Sequence, residues 1–277
     1  MMAEARPARG PAIALAAVLF AGLALLAAVA PEFVRTPDLS ARYLLPWQSP
    51  PFGTDDRGIP LWELAAQGSR IVLVPALVAG ALTAAAATWA GVARCAGWTW
   101  IDTGLQAVGE LVGSLPRLVV VLVVALLIPP TWKSLLPIAV VWAFLAAPGA
   151  MDEAATTAGR LGGARFVEAL KAHGFSASRI LLYHVIALNL RPVLVRQAAE
   201  VGMQVVFLEI ALSYLAVSRN EPSFTHPDSG YSWATLLYQG YTAALGEPLW
   251  HAMALGVGLV AAVATLSRAL RAAARAR

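Results

Sequence analysis

The chain has 277 residues, of which 59% are hydrophobic and 13% charged, with a net charge of +4 and a mean hydropathy of +0.68. A soluble domain carries roughly 25% charged residues, so there is too little polar surface here to cover a water-soluble globule, and the apolar residues must face something other than water. Cys95 is the single cysteine, which excludes an intrachain disulfide. His173, His184, His226 and His251 lack the close spacing of a zinc motif.

A helix needs about 20 apolar residues to cross the hydrocarbon core. Such runs fall at 12–30, 71–93, 105–128, 135–151, 192–217 and 249–267, predicting an all-α, polytopic transmembrane bundle of about six spans. Arg6 and Arg9 precede the first run and Ala28-Val29-Ala30 resembles a cleavage site. The apolar core is nevertheless long for a signal peptide and Pro31 would follow the cut, so the run is read as a retained span. Residues 1–50 then comprise an N-terminal stub, the first span and part of an outer segment (31–70), and residues 51–277 the main transmembrane domain. Pro75, Pro116, Pro148 and Pro192 lie within or at the ends of spans, where proline bends or starts helices.

Basic residues fix the orientation, because Lys and Arg concentrate in cytoplasmic loops. With the N-terminus inside, the inner segments hold Arg6, Arg9, Arg94, Arg160, Arg165, Lys171, Arg179, Arg191, Arg268, Arg271, Arg275 and Arg277. The outer ones hold only Arg35, Arg42, Arg57, Lys133 and Arg219. Both termini are expected to be cytoplasmic, with a long inner loop at about 150–191.

Recognisable enzymatic chemistry is missing. Neither lysine, Lys133 or Lys171, follows a glycine, so no P-loop is present, and neither a His-Glu-x-x-His nor a Gly-x-Ser-x-Gly motif occurs. The expectation is a non-catalytic protein without a cofactor. Charges at membrane depth are costly and usually face the bundle interior or a water-filled path. Glu110 and Arg117 in span three, and Arg196, Glu200 and Glu209 in span five with Ser213 beyond it, are therefore the candidate pathway or structural polar residues. Arg196 and Glu200 are four apart and could pair on one helix face.

Three separated stretches carry a resemblance. Phe52-Gly53-Thr54-Asp55-Asp56-Arg57-Gly58, followed by Gly68-Ser69-Arg70, precedes the second span; Leu61, Trp62, Leu64 and Ala65 between them read as a short interfacial helix. Glu168-Ala169-Leu170, Gly174, Arg179, Ile180 and His184 lie in the inner loop, where 164–172 reads as helix, Gly174 as a turn and Ser176 as the cap of a second helix. Glu209-Ile210-Ala211-Leu212-Ser213-Tyr214-Leu215, with Pro222 and Ser232-Trp233, runs from span five into the outer loop. In order and placement these resemble the second-type permease of dipeptide, oligopeptide and nickel ABC importers over roughly residues 50–267. The departures are Leu170 where alanine is usual, Ala187 for a proline, Met151-Asp152-Glu153-Ala154-Ala155 for an arginine-rich run, Ala216 and Ala234 for glycines, and an insertion around Phe224–Asp228.

The resemblance implies a type I permease of a bacterial inner membrane. Its expected partners are a second permease subunit, two ATPase subunits and an extracytoplasmic solute-binding protein. It also implies a coupling helix at Glu168, Ala169 and Gly174 that docks on the ATPase. Two alternatives stay open: an ion-coupled secondary transporter using Glu110, Glu200 and Glu209, although no repeat symmetry is visible, and a membrane protein of purely structural role.

Overall fold

The computed structural model describes residues 9–31, 36–129, 132, 134–162, 165–218, 232–243 and 249–275. Regular structure among them is helical: α1 (Arg9–Ala28), a 3-10 turn (Leu39–Ala41), α2 (Leu61–Ala96), α3 (Thr99–Gly113), α4 (Arg117–Leu127), α5 (Leu135–Gly162), α6 (Arg165–Ala172), a short α7 (Ala177–Arg179), a π-helix (Ile180–Leu190), α8 (Arg191–Ser218), α9 (Trp233–Ala243) and α10 (Trp250–Arg275). Five of these runs are long and apolar enough to cross a membrane, and the bent pair α3–α4 makes a sixth if it is one span. This is the helix set of a multi-pass membrane protein. Leu118, Leu126, Leu127, Phe144 and Val18 point outward, each more than half exposed, a surface suited to lipid rather than water.

Several spans differ from the expected boundaries, each for a physical reason. The second starts at Leu61 rather than 71, so the apolar stretch 61–65 is the first turn and a half of α2 and not a separate interfacial helix; Leu61, Leu64 and Ala65 are buried. The third is broken. Ser114 and Pro116 separate α3 from α4, which meet at 79°, because proline has no N–H to continue the ladder and restricts the residue before it. Helix α4 has 11 residues and rises only about 16 Å, too little to cross a core of about 30 Å alone.

The fifth span begins at 177 rather than 192. The π-helix runs directly into α8, which places much of the expected 150–191 loop inside helix. Arg191 N–H still donates five residues back, to Ile186 O. Pro192 has no N–H to give Ala187, so the wide ladder ends and α geometry resumes.

Helix α2 is the centre of the bundle and packs chiefly on α5 and α8. Small residues let these axes approach, as is usual where lipid removes the hydrophobic drive between helices. Ala79, Ala87 and Ala90 of α2 and Ala139, Ala143, Ala150 and Ala154 of α5 are all buried. At Gly80 a Cβ would come 2.8 Å from Ala198 O, and at Gly202 3.3 Å from Ala76 O, so α2 and α8 cross backbone to backbone.

The bundle has two distinct ends. At one, segment 36–60 covers α9 and the starts of α2 and α10. At the other lie the start of α1, the ends of α2, α5 and α10, helix α6 and the π-helix: one crevice there is lined by Ile13, Asn189 and Ala274 together, and Gly159 of α5 touches Arg94 of α2. Exposed tryptophans sit towards both ends, Trp47, Trp132 and Trp250 at the first and Trp98 and Trp100 at the second, the distribution of interfacial aromatic belts.

Candidate functional site

The first motif builds the cap over one end. Asp55 is fully buried; its Oδ1 accepts from Arg57 N (2.9 Å) and Ile59 N (2.7 Å), and its Oδ2 pairs with Arg57 Nε (3.2 Å). Thr54 Oγ1 donates to Ala41 O (2.5 Å) and accepts from Leu44 N (2.9 Å). Gly53 (φ 83°) and Gly58 (φ 77°) are left-handed, and a Cβ on them would fall 2.2 Å from Leu44 O and 2.0 Å from Asp38 O. The glycines of the motif are thus demanded both by backbone angle and by contact. Phe52 and Arg70 are exposed, and neither takes part in this hydrogen-bonded core.

Gly68 and Trp233, 165 positions apart and from different stretches, are brought face to face. A Cβ on Gly68 would lie 2.3 Å from Trp233 Cδ1, and the buried indole donates to Ala65 O (3.1 Å). The spacing Ala65–Gly68 puts acceptor and gap on one face of α2.

Beside this contact a polar group is buried among α8, α9 and α10. Ser213 Oγ donates to Glu209 Oε1 (2.7 Å) within α8. Glu209 is fully buried, with the side chain of Ser232 as a second hydrogen-bonding neighbour, while the hydroxyl of Thr235 and both ring nitrogens of His251 have no hydrogen-bond partner among the described residues. His251 lies edge-on to Trp250, with ring centroids 5.8 Å apart.

Gln239 Nε2 donates to Asp56 Oδ1 (2.8 Å), tying α9 to the cap. Burial, with the neighbouring Asp55 charge second, raises the Asp56 pKa above its ordinary value. An acid whose pKa is higher folded than unfolded costs stability as pH climbs from the unfolded value through the folded one, and the loss is complete above both. Replacing Asp56 with Asn keeps an acceptor for Gln239 and removes that loss. Thermal melts of Asp56→Asn are therefore expected to show less destabilisation than wild type between pH 4 and pH 7; an unchanged slope would show that Asp56 is not the group titrating.

At the opposite end the second motif forms the expected helix–turn–helix. Gly174 is left-handed (φ 80°), with Gly174 N donating to Lys171 O and Phe175 N to Leu170 O, the paired bonds that close a helix on a left-handed glycine. Ser176 Oγ accepts from Arg179 N (3.4 Å) and caps α7. Glu168, Ala169, Gly174 and Arg179 are exposed while Ile180 is buried and anchors the turn.

Phe175, which the sequence reading passed over, joins the motif residues. The Arg179 guanidinium lies 5.0 Å over its ring and His184 meets it edge-on at 5.9 Å. An aromatic directly after a turn glycine and four residues before an arginine is a signal that could have found it.

The intramembrane charges are distributed differently from the expectation. Arg196 pairs with Glu153 of α5 rather than with Glu200, and Gln197 Nε2 donates to Glu153 Oε2 (2.6 Å). The i,i+4 partner on the same helix loses to a carboxylate on the helix opposite, so Met151–Ala155 is a polar clamp between α5 and α8. Glu110 and Arg117 are exposed on either side of the α3–α4 break. Glu110 lines a 280 Å³ cavity with Gln106, Asp102 and Asp152, and Asp102 is paired with Arg94 (2.5 Å).

Among the described residues no group of His, Cys, Asp and Glu is arranged to hold a metal ion. Pro222 and the insertion at 224–228 lie outside the described residues. No family model matches the chain, and no curated protein matches it either.

Proposed function

We propose that the chain is the membrane-spanning permease subunit of an ATP-driven importer of the dipeptide, oligopeptide and nickel type, in a bacterial inner membrane. The observation that carries this is the exposed α6–Gly174–α7 turn, whose Glu168-Ala169 and Gly174 resemble the coupling motif of such permeases. Among the described residues, the turn stands at the end of the bundle where Arg94, Arg160, Arg191, Arg268 and Arg271 gather. By the positive-inside rule that end is cytoplasmic, the side on which two ATPase subunits would dock. The cap built by Thr54 and Asp55 then faces outward, towards a solute-binding protein, and a second permease completes the pathway. ATP hydrolysis on the partner subunits moves the turn, and rigid-body motion of the bundle alternates access.

The test is a mild-detergent pull-down of tagged protein from its native membrane, probed for an ATPase subunit. Wild type is expected to capture the ATPase. Glu168→Lys, a charge reversal on the exposed face of α6, is expected to reduce capture about tenfold, equivalent to about 1.4 kcal/mol. Gly174→Pro, whose ring demands a negative φ at a left-handed position, should uncouple uptake from ATPase activity while leaving membrane insertion intact. Capture and uptake unchanged in both variants would remove the coupling assignment.

A second reading, ion-coupled secondary transport, draws support from Glu209. A fully buried carboxyl within a candidate span is the kind of group such transporters use. Substrate uptake by the purified chain alone, abolished in Glu209→Gln, would favour it over the importer.

A further inference from the structure

Helix α1 does not close against α8. Between them, with α2 and α10 as further walls, runs a crevice whose two parts measure about 260 and 830 Å³. Phe20, Val195, Leu266 and Leu270 line both parts, which makes them one continuous space. The inner part is almost wholly apolar and lies among the spans. The larger part opens at the arginine-bearing end, where Asn189 and Arg191 join its wall. Arg191 is exposed and makes no ion pair among the described residues.

We infer that this crevice binds an anionic glycerophospholipid, its acyl chain among α1, α2, α8 and α10 and its phosphodiester at Arg191. The fit is one of opposite ends. A long apolar slot inside the bundle takes a hydrocarbon chain, and each buried CH₂ contributes roughly 0.8 kcal/mol. The Arg191 guanidinium on the wall of the larger part takes a phosphate in bidentate fashion, and basic pockets between spans are a recurrent site for acidic headgroups. A neutral lipid satisfies only the first part. The inference is independent of the importer reading, because it needs neither the ATPase nor a substrate.

The experiment is a thermal-shift series on the full chain, delipidated in dodecyl maltoside and supplemented with phosphatidylglycerol or phosphatidylcholine of the same acyl length. Phosphatidylglycerol is expected to raise the Tm by about 5 °C at saturation and phosphatidylcholine to raise it much less. Arg191→Gln, an exposed change, should keep the starting Tm and lose the difference between the two lipids. Ala187→Phe, which fills the crevice wall, should weaken both responses. Equal stabilisation by both lipids, or a headgroup preference that survives Arg191→Gln, overturns the inference. So does a Tm that responds to protein concentration and not to lipid, since the crevice would then hold a helix of a second copy.

Discussion

Gly68→Leu should cost about 2–6 kcal/mol, the sum of about 1–3 kcal/mol for overpacking and about 1–3 kcal/mol for stranding a buried indole N–H. The added side chain begins where Trp233 Cδ1 already stands, 2.3 Å from the new Cβ. The ring must leave, and its hydrogen bond to Ala65 O leaves with it. Against a total stability of about 5–15 kcal/mol this is a large fraction, to be read as a loss of Tm in detergent or of the folded fraction in a denaturant series.

A cycle makes the result specific. Trp233→Ala alone opens a cavity and should itself cost about 3–5 kcal/mol. In the double variant the leucine occupies part of that space, so the combined loss should fall short of the sum by 1 kcal/mol or more, about the size of coupling expected for residues in contact. Strict additivity would show that α2 and α9 do not meet at this pair.

Asp55→Ala is expected to release the cap. Three donors converge on this one buried carboxylate, the amides of Arg57 and Ile59 and the Arg57 guanidinium, and hydrogen bonds to a charged group each contribute about 1.5–3 kcal/mol. Relief of the cost of burying the charge offsets part of this, leaving a net loss of about 2–4 kcal/mol. Because the carboxylate closes a local loop, the loss should concentrate there. Trypsin cleavage at Arg57 should rise while the helices keep their protection. Asp55→Asn keeps one oxygen for the two amides and should lie between wild type and Asp55→Ala. Equal proteolysis in all three would mean that the segment is held by Thr54 and its neighbours instead.

A segment held this firmly also ties together the helices around it. The cap links the start of α2, through Leu61 N to Gly53 O (2.9 Å), to α9, through Asp56 and Gln239. Those helices lie on opposite sides of the Gly68–Trp233 contact, so a motion of the bundle carries the cap with them rather than opening it. If the chain is an importer subunit as proposed, the cap is a rigid platform for its partner, and movement falls to the break at Ser114–Pro116.

Composition alone pointed to a membrane protein, because 13% charge leaves too little polar surface to cover a water-soluble globule. Hydropathy located the five long apolar helices and the broken α3–α4 pair, since a run of about 20 apolar residues has one economical conformation in lipid. The turn at Gly174 and the cap at Ser176 were equally legible, being local chemistry in which one glycine and one hydroxyl decide the backbone. Boundaries were less so. The extension of α2 back to Leu61 and the fusion of 177–190 with α8 depend on neighbours that bury those residues, and hydropathy windows do not contain neighbours.

Partner choice among polar residues was decided only by the tertiary structure. Arg196 had Glu200 on its own face and took Glu153 across the bundle, because the α2–α5–α8 packing brings that carboxylate closer than the helix's own repeat. Gly68 and Trp233 could each be singled out in the sequence, but nothing in the 165 positions between them says that one is the space the other fills. The same holds for the crevice behind α1. Its walls come from four helices far apart in the chain, α1, α2, α8 and α10, and the gap exists because α1 packs against α2 and α10 and stands away from α8.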